Sequence, residues 1–125
     1  MFQSLFGYRQ SPIKTQQRVQ TNVKQIRSPQ LFAQLQNGNA PLLVDVRSPE
    51  EYQTDGHIEG SRLLPLPMLL QRMDELPKDK PIVCVCRSGN RSQVACEQLA
   101  AFGFTDLTNL AGGMIDWRRN GLPSK

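Results

Sequence analysis

The stretch Cys86-Arg87-Ser88-Gly89-Asn90-Arg91-Ser92 concentrates the reactive chemistry of this chain. Cys86 offers a sulfur nucleophile, and Arg87 and Arg91 bring two permanent positive charges. Ser88, Gly89 and Asn90 make a short polar loop between them. The reactive form of a cysteine is the thiolate, and facing amides or cations lower its pKa. Such a sulfur can act as a thiolate, take up a second sulfur as a persulfide, or attack phosphorus. A purely structural cysteine is the bland alternative, since free cysteine often packs as a small hydrophobe. It fits poorly here, because Arg-Ser-Gly-Asn-Arg is not core sequence.

The flanking segments must place that sulfur. Pro81-Ile82-Val83-Cys84-Val85 is an apolar run of the kind that forms a buried strand. A helical pattern runs from Ser92 to Phe102 and ends at Gly103. Cys86 therefore stands at the carboxyl end of a strand, on a loop that opens a helix. Unpaired amides at a helix start and the positive end of its dipole favour an anion there. In open α/β sheets, ligands bind at this edge.

The remaining pattern repeats strand and helix. Asn22–Ile26 reads as a short strand, and Ser28-Pro29 as an N-cap followed by proline at the first helical position. Leu31, Phe32 and Leu35 keep helical spacing until Asn37-Gly38. Leu42–Val46 is a buried strand. Ser48-Pro49-Glu50-Glu51 forms a capping box for a short helix ending near Asp55-Gly56. Arg62–Leu64 is a third strand, and Pro67–Leu76 a helix. After the central loop come strand Leu107–Leu110, the turn Ala111-Gly112-Gly113 and a last helix, Met114–Asn120. About five strands alternating with five helices predict an α/β fold: a mostly parallel sheet with helices on both faces. At 125 residues the chain suits one domain, 22–125, preceded by an extension, 1–21. Phe2, Leu5, Phe6 and Tyr8 could make a short apolar stripe in that extension.

Charge is uneven. The net charge is +4, yet residues 1–44 carry five basic residues and no acid. The basic front half reads first as a solvated tail and second as a docking surface for an acidic partner. It lacks the aromatic interleaving of nucleic-acid readout, and no apolar stretch is long enough to span a bilayer. Cys84, Cys86 and Cys96 are an odd number without CxxC spacing, which argues against a disulfide framework and a zinc site. A reducing, cytoplasmic setting is expected. The acid-free N-terminus carries only a faint transit-peptide character. No metal or nucleotide motif is present, so no cofactor is expected.

The central loop resembles the active-site loop of rhodanese-domain sulfurtransferases. Leu43-Val44-Asp45-Val46-Arg47, Glu50-Glu51-Tyr52 and Gly56-His57-Ile58-Glu59-Gly60-Ser61 resemble the family's first signature. Leu110-Ala111-Gly112-Gly113-Met114, with Trp117, resembles its last. Together these cover about residues 22–122 in the family's order. The resemblance implies a sulfurtransferase in which Cys86 takes sulfane sulfur from a small anion such as thiosulfate. The resulting persulfide passes that sulfur to cyanide or a thiol. Arg87, Ser88, Gly89, Asn90 and Arg91 are the expected substrate-binding residues, through loop amides and the two cations. A regulatory or sulfur-relay module that binds a protein partner is the alternative. Related phosphatases of the cell-cycle type have a longer loop, with His before the Cys. Here Val85 precedes Cys86 and Arg91 is the sixth loop position, a cradle sized for one sulfur.

Supporting roles are expected for Asp45, as an acceptor that shapes the loop, and for Ser92, as a helix cap or a donor to sulfur. Arg47 is expected to pair with Glu51. His57, the single histidine, is expected to be structural. Cys84, Cys96 and Trp117 are expected in the core.

Overall fold

The computed structural model describes residues 22–125; the expected extension over 1–21, with its apolar stripe, lies outside the described residues. Strand β1 is Lys24–Ile26, followed by helix α1, Ser28–Gln36. Strand β2, Leu42–Asp45, leads into helix α2, Pro49–Thr54. Strand β3, Arg62–Leu63, is followed by a short helical segment whose one α turn is α3, Leu69–Arg72. Strand β4, Ile82–Val85, runs into helix α4, Asn90–Ala101. Strand β5, Leu107–Leu110, and helix α5, Gly113–Arg119, complete the fold.

All five strands are parallel, in the order β1-β5-β4-β2-β3. The chain starts at one edge, crosses to the other half and returns, so β4 lies at the centre. Side chains alternate across a strand. Ile82, Cys84 and Cys86 accordingly join Val44, Val46, Leu107 and the α4 residues Ala95, Cys96 and Leu99 in one core. Val83 and Val85 face Leu31 of α1 and Met114 and Trp117 of α5 in the other. Burial on both faces explains why β4 is apolar without interruption. Helix α4 buries Ser92, Ala95, Cys96 and Leu99, one stripe at helical spacing.

The departures from expectation are local. Helix α1 begins one residue early: Arg27 is its N-cap, and the Gln30 side chain accepts from the Arg27 amide at 3.1 Å. Ser28 is buried inside the first turn, and its hydroxyl finds no partner among the described residues. The expected helix over Pro67–Leu76 is a single α turn between two 3-10 turns, Leu66–Met68 and Met73–Glu75. Only Leu69 and Leu76 are fully buried there, too few anchors to hold a continuous helix against its nucleation cost. Helix α4 starts at Asn90, so Asn90 and Arg91 belong to its first turn rather than to the loop. The Ser48–Glu51 capping box forms as read, with the Glu51 amide donating to Ser48 Oγ at 3.2 Å and the Ser48 amide to Glu51 Oε1 at 3.1 Å.

Candidate active site

Cys86 lies one residue past β4, and its backbone is gripped from both sides. The α5 amides of Met114 and Ile115 donate to the carbonyls of Cys86 (2.9 Å) and Arg87 (3.0 Å). These are N-terminal amides that the helix itself leaves free. Gly113 allows that approach. A β-carbon there would stand 2.5 Å from both carbonyl oxygens. Gly89 has φ +101°, in the left-handed region that favours glycine. It turns the chain from the loop into α4.

With the loop carbonyls turned towards α5, amides turn towards the sulfur. Gly89 N–H donates to Cys86 Sγ at 3.1 Å, and Ser92 N–H at 3.3 Å. Ser92 Oγ lies 3.3 Å from Sγ as well. Helix α4 has no side-chain cap of the usual kind; the sulfur takes the place of the capping oxygen. Ser92, expected as the cap, is instead the third helical residue, with its hydroxyl directed at Sγ and at Asn109 Oδ1, 2.5 Å away.

Two opposed effects act on the Cys86 thiol. Burial, with the residue 1% exposed, pushes its pKa up. The contacts with Ser92, and with the amides of Gly89 and Ser88, pull it down, and the net result lies below the ordinary thiol value. Hydrogen bonds to a charged acceptor contribute about 1.5–3 kcal/mol each, so several together offset the desolvation. Cys84 goes the other way. Its thiol is pushed well up by its contact with Cys96 and by burial. All three cysteines are free and buried, but among the described residues only Cys86 has amides on its sulfur.

The two arginines have different fates. Arg91 is held by Glu51 in a two-pronged pair, Nη1–Oε1 2.7 Å and Nη2–Oε2 2.8 Å. That pair, first through its hydrogen bond, lowers the Glu51 pKa to about 2. Arg91 thus latches α4 to α2, and its expected role as a donor-binding cation is occupied by this pairing. Arg87 is exposed, and its side chain makes no hydrogen bond or ion pair among the described residues. Ser88 and Asn90 are exposed beside it.

Arg47 does not pair with Glu51. It pairs with Asp45, through Nε–Oδ1 (2.9 Å) and Nη2–Oδ2 (2.8 Å), and reaches the Gly56 carbonyl at 2.8 Å. Both side chains are essentially fully buried. The Asp45 carboxylate, expected to shape the Cys86 loop, makes its hydrogen bonds to Arg47 instead, because its immediate neighbour fills it. Buried paired charges of this kind fix geometry more than they stabilise, and here they tie β2 to the turn at Gly56.

His57 stacks on Tyr52, with ring centroids 3.7 Å apart. Its Nδ1 lies 2.9 Å from the Tyr52 carbonyl, an acceptor only, so this nitrogen carries the proton. Its backbone pairs with Lys125. None of these partners belongs to the Cys86 loop. Trp117 is buried, as expected, and donates from Nε1 to the Pro123 carbonyl at 2.9 Å. Sequence reading did not single out Asn109, which joins the site through the register of β5 beside β4. Its place two residues from Leu107, on the same strand face as that core residue, is the clue that could have found it.

A cysteine sulfur faced by backbone amides, at the carboxyl edge of a parallel sheet, between α4 and α5, defines a class of protein. Residues 28–120 match the rhodanese-like domain family, and the chain belongs to it. It is 43% identical over 101 residues to a sulfurtransferase of Allochromatium vinosum, covering 81% of this chain and 94% of that protein. It is 37% identical over 91 residues to the thiosulfate sulfurtransferase GlpE of Ectopseudomonas mendocina, covering 73% of this chain and 82% of that one. A rhodanese-related protein from Thermoplasma volcanium has the same fold, with a TM-score of 0.73 and 29% identity over 82% of this chain and 97% of that chain. The described helices include none long and apolar enough to cross a membrane.

Proposed function

We propose that this protein moves sulfane sulfur from a small anionic donor such as thiosulfate to a thiophilic acceptor, cyanide or a thiol, through a persulfide on Cys86. The observation that carries the reading is the pair of amides, from Gly89 and Ser92, that donate to Cys86 Sγ. These donors serve an anionic sulfur before and after it is loaded. The thiolate attacks the outer sulfur of thiosulfate. A sulfur–sulfur bond forms, the bond to the sulfite group breaks, and sulfite leaves with the electron pair. The persulfide anion then gives its outer sulfur to cyanide, and thiocyanate departs as Cys86 returns to thiolate. No proton moves in either step, so the absence of His57 from the loop is no obstacle. Arg87, exposed in the loop, attracts the dianion and steadies the departing sulfite.

Steady-state formation of thiocyanate tests the scheme. Varying thiosulfate at several cyanide levels should give parallel double-reciprocal lines, as a substituted-enzyme mechanism requires. Cys86→Ser should give no turnover. Intersecting lines, or turnover in Cys86→Ser, would remove the persulfide from the account.

A further inference from the structure

The Ser92 hydroxyl has two neighbours and one proton. Oγ lies 3.3 Å from Cys86 Sγ and 2.5 Å from Asn109 Oδ1. The Asn109 amide cannot be turned round to change this. Its Nδ2 faces the Gly89 carbonyl at 3.1 Å, and a carbonyl can only accept. The same Nδ2 donates to Gln25 Oε1 at 2.9 Å. Gln25 Nε2 in turn donates to Gln93 Oε1 at 2.7 Å, and Gln93 Nε2 to the Glu97 carboxylate at 3.0 Å. A carboxylate likewise only accepts. Both ends of the chain, the Gly89 carbonyl and Glu97, therefore set every donor in one direction, away from the sulfur.

The fold supplies this chain through register. Gln25 and Asn109 are paired across β1 and β5, and Cys84 and Asn109 across β5 and β4. Residues paired in this way point to the same face. That face is the one covered by α4, whose first turns bring Ser92 and Gln93 down onto it.

We propose that Asn109 is a positioning residue which takes the Ser92 proton and so withholds that hydroxyl from the Cys86 thiolate. The inference rests on the reading of Cys86 as the sulfur-carrying nucleophile. The backbone amides of Gly89, Ser92 and Ser88 then hold the anion, and Ser92 Oγ offers the neutral thiol an acceptor. This keeps the thiolate more basic than a fully occupied cradle would. Within an amide cradle, a more basic thiolate is the stronger nucleophile towards sulfur. The charged and titratable groups around the sulfur are Arg87 in the loop, Arg91 on α4 with Glu51 on α2, the Asp45–Arg47 pair on β2, Cys84 on β4 and Cys96 on α4. Cys84 is the register partner of Asn109, but among the described residues none of these groups is hydrogen-bonded or ion-paired to it; the hydrogen bonds that link Asn109 to the Cys86 site run through Ser92 and the Gly89 carbonyl.

Those two routes have opposite signs. Thiolate formation would be followed by ultraviolet absorbance across a pH titration of the full chain, with Cys86→Ser as blank. In Asn109→Ala, Ser92 is released to the sulfur, and the thiolate-to-thiol ratio at a given pH should rise about tenfold, the worth of one charge-assisted hydrogen bond. In Ser92→Ala the ratio should stay within about threefold of wild type. In the double variant the rise seen with Asn109→Ala should disappear, a coupling that independent sites would not show. A tenfold fall in Ser92→Ala alone would overturn the proposal, since Ser92 would then be donating to sulfur. So would a fall in Asn109→Ala, which would make the Gly89 clamp its whole role. If Asn109→Ala fails to fold, the Ser92→Ala titration decides by itself. The readout needs no sulfur donor, so it stands or falls separately from persulfide formation, which is measured by mass.

Discussion

Replacing Gly113 with alanine puts a methyl carbon where the structure leaves 2.5 Å to the carbonyl oxygens of both Cys86 and Arg87. Both oxygens belong to backbone, so no side chain can swing aside. Either α5 or the loop must withdraw, and the hydrogen bonds from Met114 (2.9 Å) and Ile115 (3.0 Å) stretch or break. Two such bonds are worth about 1–3 kcal/mol in all. Gly113 also has φ +58°, where alanine costs about 1–2 kcal/mol. The expected loss is therefore about 2–5 kcal/mol. Gly38 provides the control. It has φ +73° with nothing within 4 Å of a built β-carbon, so Gly38→Ala carries the conformational cost alone, about 1–2 kcal/mol. Urea denaturation of the two variants separates the clash from the backbone term. Sulfur transfer separates them further. The displaced peptides lead directly into the amides that face Sγ, and a misplacement approaching 1 Å can cost about 100-fold in rate. Gly113→Ala should lose about 10–100-fold in kcat/KM, whereas Gly38→Ala should keep wild-type activity. Equal stability losses with unchanged activity in both would refute the idea that α5 builds the cradle.

Two further perturbations address the arginines. Glu51→Gln keeps a side chain suited to the capping box but removes the charge paired with Arg91. The folded-state Glu51 pKa is depressed from 4.5 to about 2. Its stabilisation is therefore complete above the unfolded value and is lost as pH falls towards the folded one. The variant should be less stable by about 1–2 kcal/mol at neutral pH, after allowing for solvent screening of a partly exposed pair. That gap should close between pH 4.5 and about 2, as read from urea melts across pH; a gap independent of pH would contradict the assignment. Arg87→Ala should raise KM for thiosulfate about tenfold, the worth of one charge-assisted contact, with a smaller change in kcat. An unchanged KM in initial-rate measurements would take Arg87 out of donor binding.

The strand–loop–helix around Cys86 was legible because each part has a local signal: an apolar run for β4, small and polar residues for the turn, helical spacing for α4. The parallel sheet followed from alternation alone. Partner choice was less legible. Arg47 could pair with Glu51 or Asp45, and only the tight turn after β2 decides for the nearer carboxylate. Arg91 lies in the first turn of α4, directly after the loop it was expected to serve, and α2 brings Glu51 to it from 40 residues away. Asn109 offered only a polar side chain on the face of a core residue; its partners depend on the register of β5 against β1 and β4, which no local pattern encodes. The glycines at 112–113 were readable as a turn, but their closeness to the Cys86 and Arg87 carbonyls is a tertiary fact.

Intact mass after exposure to thiosulfate and removal of the excess donor tests the central claim most directly. The protein should gain one sulfur atom, and peptide mapping should place it on Cys86. Cys84 and Cys96, equally buried but without facing amides, should remain unmodified. Cyanide should then remove the added sulfur and release one thiocyanate per chain. A protein whose mass is unchanged by thiosulfate and by other sulfane donors, or whose added sulfur persists in Cys86→Ser, would contradict the account.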